Sequence, residues 1–280
     1  EAYQALLPNL SEYYTQLGQH VPLYQSYQHV HDASIFDTLP PAQQSAIKLA
    51  LRDFKLSGVA LEGDAKKRYA EISARLSQLS SDFSNHVLDA TQVYFKPLTE
   101  EQLEGLPTSS IELLKQYGQQ RDLDQAVATL DMPSYIAIMT YAKDRAVREA
   151  LYHAYTTRAS ELAGQPEFDN TPVMQEILAL RQEMAQLLGF QNYAELSLAS
   201  KMAPSVKSVQ DFLIDLAQHA RLPAEHDMTE LTNIAKQDGI DDLQPWDTGY
   251  YSEKLKVAKF NLSQEDLKTY FPAHQVLQGL

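Results

Sequence analysis

Apolar residues recur along this chain at intervals of three and four, the spacing of one face of an α-helix. The clearest run is Tyr69, Ile72, Leu76, Leu79, Phe83 and Val87, and it predicts one long amphipathic helix over about residues 64–91. Lys67, Arg68, Glu71, Arg75 and Asp82 fall on its other side and read as a solvated face. Ahead of it, the stripe from Leu6 to Leu17 predicts a first helix closed by Gly18. A second should run from about Val21 to Phe36, and Pro40 with Pro41 should open a third that Gly58 ends.

The period then changes. Val93, Tyr94 and Phe95 precede Pro97, and a second short apolar run spans Ala126 to Leu130. These predict at most a small β-hairpin, about 92–98 with 126–130. Thr99 with Gln102 and Ser109 with Glu112 between them have the spacing of capping boxes. From Pro133 helices resume. Asp144 should cap one running to about Glu161, and Asn170 one that Gly189 ends. Asn192 should cap a short helix, Ser205 a long one kinked or broken at Pro223, and Ser263 the last clear helix, with Asp266 at its third position. The fold class is all-α, a multi-helix array read as a single helical unit over 1–280.

Composition narrows the function classes. A hydrophobic content of 44% with 21% charged residues suits a chain that buries a core. The net charge of −14 repels a phosphate backbone, so nucleic acid is not an expected partner. No apolar run approaches the roughly 20 residues of a membrane span, so no membrane partner is expected either. The chain has no cysteine, which excludes disulfides, thiol catalysis and sulfur-ligated zinc.

The eight histidines include no HExxH pair. Asp82 with His86 and Glu149 with His153 are i,i+4 pairs that read as ordinary surface neighbours. Nucleophile-elbow and phosphate-loop motifs are absent. The spacing of these residues therefore assigns no catalytic and no metal-binding residue. The chain opens at Glu1 inside a helical apolar pattern and stops after Val276, Leu277 and Leu280 begin another stripe, so it reads as a piece of a longer protein.

Longer strings carry more. SDFSNHVLDAT (81–91), TLDMPSYIAIMTYA (129–142), ALYHAYTTRAS (150–160), ILALRQEMAQLLGFQNYAELSLASKMA (177–203) and LQPWDTGYYSEK (243–254) follow in this order. Together they resemble the thimet oligopeptidase family of zinc metallopeptidases over essentially the whole chain. The resemblance implies a cytoplasmic metalloendopeptidase that hydrolyses short peptides in a channel between two mainly helical lobes. It implies one zinc held by the histidines of an HExxH motif and a downstream glutamate, C-terminal to Leu280. The 280 residues would then bind no zinc and be inactive alone, with the boundary between lobes left open.

Within that frame the candidates for lining the substrate channel, or for supporting the zinc ligands from behind, are Trp246, Asp247, Tyr250 and Tyr251. On a helix their i,i+3 and i,i+4 spacing gathers them on one side. The alternative function is a non-enzymatic helical scaffold or peptide- or protein-binding module, whose partner would meet an acidic surface rich in tyrosine, of which the chain has 16.

Overall fold

Of the residues described in the computed structural model, 2–268 and 270–279, nearly three quarters (74%) are helical, and the sheet is a single two-stranded pairing. The expected all-α array is therefore what forms. In order, the elements are α1 (Ala2–Gly18), α2 (Val21–Asp32), α3 (Pro41–Leu56), α4 (Gly63–Val93), β1 (Phe95–Pro97), α5 (Thr108–Gln119), β2 (Val127–Thr129), α6 (Met132–Tyr141), α7 (Arg145–Thr157), α8 (Thr171–Leu187), α9 (Tyr193–Leu198), α10 (Val206–Gln237), α11 (Thr248–Phe260), α12 (Gln264–Lys268) and α13 (Ala273–Gly279). The readings placed on Glu1 and Leu280 lie outside the described residues.

Where the sequence reading takes one unit, contact density divides the chain into two, Glu1–Asn85 with Asn170–Asp215 and His86–Asp169 with Leu216–Leu280. The divisions fall inside α4, just ahead of α8, and inside α10.

In the first unit the stripe of α4 packs on α8. Ile72 and Leu79 are buried with Leu180, and Leu76, Ile177 and Met184 close around them. The polar side of α4 does more than meet solvent. Arg68 grips both Glu183 oxygens at 2.6 and 2.8 Å, and Arg75 grips Glu176 at 2.6 and 2.7 Å, two forked pairs along the seam with α8. Such bidentate pairs fix the register of two helices even where water weakens their energy. Asn170 stands at the N-cap of α8, but its amide makes no cap bond. Instead Nδ2 donates to the Phe83 carbonyl at 3.1 Å, so burial diverts this side chain from capping to tying α8 to α4. Asn192 does cap α9, accepting from the Glu195 amide at 3.0 Å.

Helix α2 ends at Asp32, four residues short of the expected Phe36, because Phe36 turns inward on a 3₁₀ turn and is buried. Burying that ring is worth more than one further turn of exposed helix.

The second unit is built round Leu98, Leu103, Leu106, Leu114, Ile138 and Leu151. Strands β1 and β2 pair antiparallel, Phe95 opposite Thr129 and Pro97 opposite Val127, within the two runs expected to pair. Thr99 and Gln102 form the reciprocal box, each side chain meeting the other's amide, at 3.0 and 3.4 Å. Ser109 and Glu112 do not. Pro107 caps α5, placing Ser109 inside the helix, where its hydroxyl donates to Glu265 at 3.1 Å.

Asp144 caps α7 through its own Oδ1, at 2.8 Å from the Ala146 amide and 3.2 Å from that of Val147. Helix α7 stops at Thr157 rather than Glu161, since Ala159 takes a positive φ of 53°.

Helix α10 runs unbroken through Pro223. Residues 210–229 are all exposed, so the carbonyl freed by the proline can be hydrated and the lost bond is tolerated. Ser263 accepts from the Asp266 amide at 3.0 Å and returns its own amide to Asp266 Oδ2 at 3.0 Å, the expected cap. The helix it starts, α12, is five residues long and is followed by α13, so it is not the last.

Candidate functional site around Trp246 to Tyr251

Residues 245–247 form a 3₁₀ turn that leads directly into α11, so the four candidates lie on two consecutive short elements of the second unit. Gly249 sets how closely α11 lies on α6. A Cβ at that position would come within 3.1 Å of the Met139 carbonyl oxygen, tighter than a side chain normally sits.

Asp247 is the centre of this arrangement. It is 0% exposed, and both oxygens are used. Oδ1 accepts from Arg148 Nη2 at 2.8 Å and Arg145 Nε at 3.1 Å. Oδ2 accepts from Arg145 Nη2 at 2.7 Å, Arg145 Nε at 3.0 Å and the Gln244 amide at 3.0 Å. Burial opposes the charged carboxylate, but the two guanidinium groups and the amide outweigh it and hold Asp247 below the usual aspartate range.

Arg148 is equally enclosed, at 2% exposure. Its other donors reach the carbonyls of Ala142 at 2.6 Å, Lys143 at 3.2 Å and Trp246 at 3.2 Å. This is a fully hydrogen-bonded ion pair, the condition under which two buried charges are tolerated.

Trp246 packs its ring against α7, 6.0 Å from Tyr152 and 5.2 Å from His153, with the Arg145 guanidinium 5.9 Å from its centre. Tyr250 lies under Arg148 at 4.4 Å and edge-on to Tyr251 at 5.2 Å. Tyr251 is buried with Leu231 and Ala235 of α10. Burial pushes its hydroxyl up to about 12, and the Asp238 carboxylate that it hydrogen-bonds adds to the rise. Asp238 is itself held low by a hydrogen bond from Lys254.

The four candidates thus cluster but do not share one exposure. Asp247 and Tyr251 are inside, while Trp246 and Tyr250 remain partly open. Tyr250 lines a cavity of about 540 Å³ with Tyr141, Lys143, Asp238, Lys254 and Val257. Tyr141 there is pushed up to about 12 by burial, with Glu253, Glu265 and Asp266 contributing in the same direction.

Sequence reasoning missed Arg145 and Arg148. They lie 102 and 99 residues from Asp247, and the only local hint was two arginines i,i+3 on a helix whose cap was legible. His153, one of the i,i+4 pairs, faces the Trp246 ring. Among the described residues, no three or more of His, Asp and Glu gather as a group that could hold a metal ion. No helix among them is long and apolar enough to cross a membrane.

Comparison with known proteins gives this cluster a context. A family model described as "Peptidase family M3" matches residues 138–280, and one described as "Neurolysin/Thimet oligopeptidase, N-terminal domain" matches residues 1–66. The chain is 47% identical over 283 residues to "Oligopeptidase A" of Escherichia coli (strain K12), covering all of this chain and 42% of that protein. Against "Oligopeptidase A" of Haemophilus influenzae the identity is 46%, again over the whole chain and 42% of the relative. Against "Probable cytosolic oligopeptidase A" of Arabidopsis thaliana it is 36%, with 41% of the relative covered. The chain therefore spans about two fifths of the length of these curated relatives.

Proposed function

Because this chain belongs to peptidase family M3, we propose that it is part of a zinc-dependent metalloendopeptidase of the oligopeptidase A type, which hydrolyses short peptides in the cytoplasm. The observation that carries the proposal is the 47% identity to a named oligopeptidase along all 280 residues, with the Trp246–Tyr251 cluster inside the matched region. The side chains described here do not fit a zinc ion, since no three ligands converge among them. When bound, zinc would supply Lewis acidity and a nucleophilic water, and in this reading its ligands belong to residues outside these 280.

What this chain contributes is position. The Asp247 lock ties the entry of α11 to α7, and Tyr250 and Trp246, the two partly open members, are assigned to contact with the peptide. Tyrosine and tryptophan suit that role because each offers a rigid apolar face with one polar tip.

The test is hydrolysis of a short quenched fluorescent peptide. Protein expressed from the whole reading frame should cleave it, lose activity to a chelator and regain it with zinc, while the 280-residue chain alone should not cleave it. Metal-dependent cleavage by these 280 residues alone would overturn the assignment of the zinc ligands, and an inactive whole protein would overturn the proposed activity.

A further inference from the structure

The first unit contains a second cavity, of about 680 Å³, within the range of small-ligand sites. Tyr24, Gln28 and His31 of α2 and Lys48, Arg52 and Lys55 of α3 line it, each trio at i, i+4 and i+7 and so on one helix face. The rest of the lining is mostly apolar, Leu51 and Leu56 of α3 with Leu188, Phe190 and Ala199 from the segment between the ends of α8 and α9.

The lining of this cavity carries more cations than carboxylates. Three groups cationic at neutral pH, Lys48, Arg52 and Lys55, line it in a chain of net charge −14. Like charges at i,i+4 and i,i+3 destabilise a helix, so Lys48, Arg52 and Lys55 on one face are a cost that a bound anion would relieve. The carboxylate in the lining, Asp32, is 2.9 Å from His31 Nδ1, and Asp53 accepts from Arg52 at 2.7 and 2.9 Å. Phe36, buried between the helices, holds two members in place. Its ring is 4.7 Å from His31 and 5.6 Å from the Lys48 ammonium.

We propose that this cavity binds a small amphipathic carboxylate, its anionic group among Lys48, Arg52 and Lys55 and its apolar body against Leu188 and Phe190. The guanidinium and ammonium groups supply charge-assisted hydrogen bonds, and the apolar wall selects against a bare inorganic anion. Such a carboxylate can come from a free organic acid or from the C-terminus of a short peptide. The assignment does not depend on the peptidase activity.

Equilibrium titration of the protein from its whole reading frame tests it, in the presence of a chelator so that no peptide is consumed. The probes are phenylpropionate, N-acetyl-alanyl-phenylalanine, the C-terminal amide of that peptide, and inorganic phosphate. Binding of either carboxylate should weaken by roughly tenfold or more in the Lys48→Gln/Lys55→Gln double variant and be unchanged in Lys115→Gln on α5. Phe190→Ala should weaken both carboxylates. Both lysines are exposed and repel Arg52, so the double variant should melt no lower than the parent. Binding of both acids identifies a general carboxylate site, and binding of the peptide acid alone identifies a peptide C-terminus; either supports the proposal. It is overturned if neither acid binds, if the amide binds as tightly as the acid, if phosphate competes as well as the acids, or if the double variant binds with undiminished affinity.

Discussion

The carboxylate of Asp247 and the guanidinium of Arg148 meet at 2.8 Å with 0% and 2% of their side chains exposed, although 99 residues separate them in the chain. Neither charge has water to fall back on. The pair ties α7 to the start of α11 where water cannot replace either partner, and removing Asp247 would leave the Arg148 guanidinium buried without a counter-charge.

Asp247→Ala should therefore destabilise the protein by about 3–5 kcal/mol, the cost of breaking a buried pair from one side. Arg75→Ala should cost clearly less, because the Arg75–Glu176 pair is 48% and 41% exposed and water replaces what is lost. Denaturant midpoints of the two variants check the order. Equal losses would mean that Asp247 is not the structural centre described.

The pH dependence follows from the same group. The folded state holds Asp247 below its unfolded value, so the unfolded chain takes up the proton first as the solution is acidified. The stability contributed by Asp247 is fully present above the unfolded value and is lost as pH falls from about 5 through the folded value. Asp247→Asn should flatten the stability profile in that acidic window. A variant profile parallel to the parent's would refute the role.

At the alkaline end the sign reverses. Tyr141 and Tyr251 are raised to about 12, so the folded state keeps protons that the unfolded chain releases near 10. Their contribution is present below about 10 and is lost as pH rises from there to 12. Absorbance titration of ionised tyrosine should show a late fraction that ionises with unfolding. Tyr251→Phe should reduce that fraction, and an unchanged fraction would place the Tyr251 hydroxyl in water.

The long helix tests what was legible from the chain. Leu79→Ala should cost about 2–5 kcal/mol, as a buried leucine does when the cavity only partly collapses. Val87→Ala on the same stripe should cost less, since Val87 is only half-buried. Urea unfolding with an unchanged slope would measure both.

Periodicity revealed α4 because one side of it is buried over several turns, much of it against α8, and the break in that period made the pairing of β1 with β2 readable from two short apolar runs. The readings that failed involve choices between local and distant partners. Asn170 has the identity and position of a cap, yet the Phe83 carbonyl, 87 residues away, takes its amide. Ser109 has box spacing, yet Pro107 claims the cap. Pro223 breaks nothing because that part of α10 is hydrated, and exposure of a helix depends on what surrounds it. The candidate cluster was found by unusual residue types, Trp246 beside Asp247 and two tyrosines, while the arginines that give Asp247 its character have only their i,i+3 spacing on α7 and nothing that points to a partner 102 and 99 residues away.

Contact and support within that cluster separate by kinetics and stability. If Tyr250 and Trp246 meet the peptide, Tyr250→Phe in the protein from the whole reading frame should raise KM or lower kcat while its melting temperature stays near the parent's. Asp247→Asn should behave in the opposite way, losing stability while the surviving folded fraction keeps normal specific activity, because a carboxylate with both oxygens occupied by Arg145, Arg148 and Gln244 has none to offer a substrate. Arg148→Lys should resemble Asp247→Asn, since an ammonium cannot reproduce the bonds to Ala142, Trp246 and Asp247 together. If Asp247→Asn instead reduces turnover at unchanged stability, the carboxylate touches the reacting complex and the division of roles proposed here is wrong.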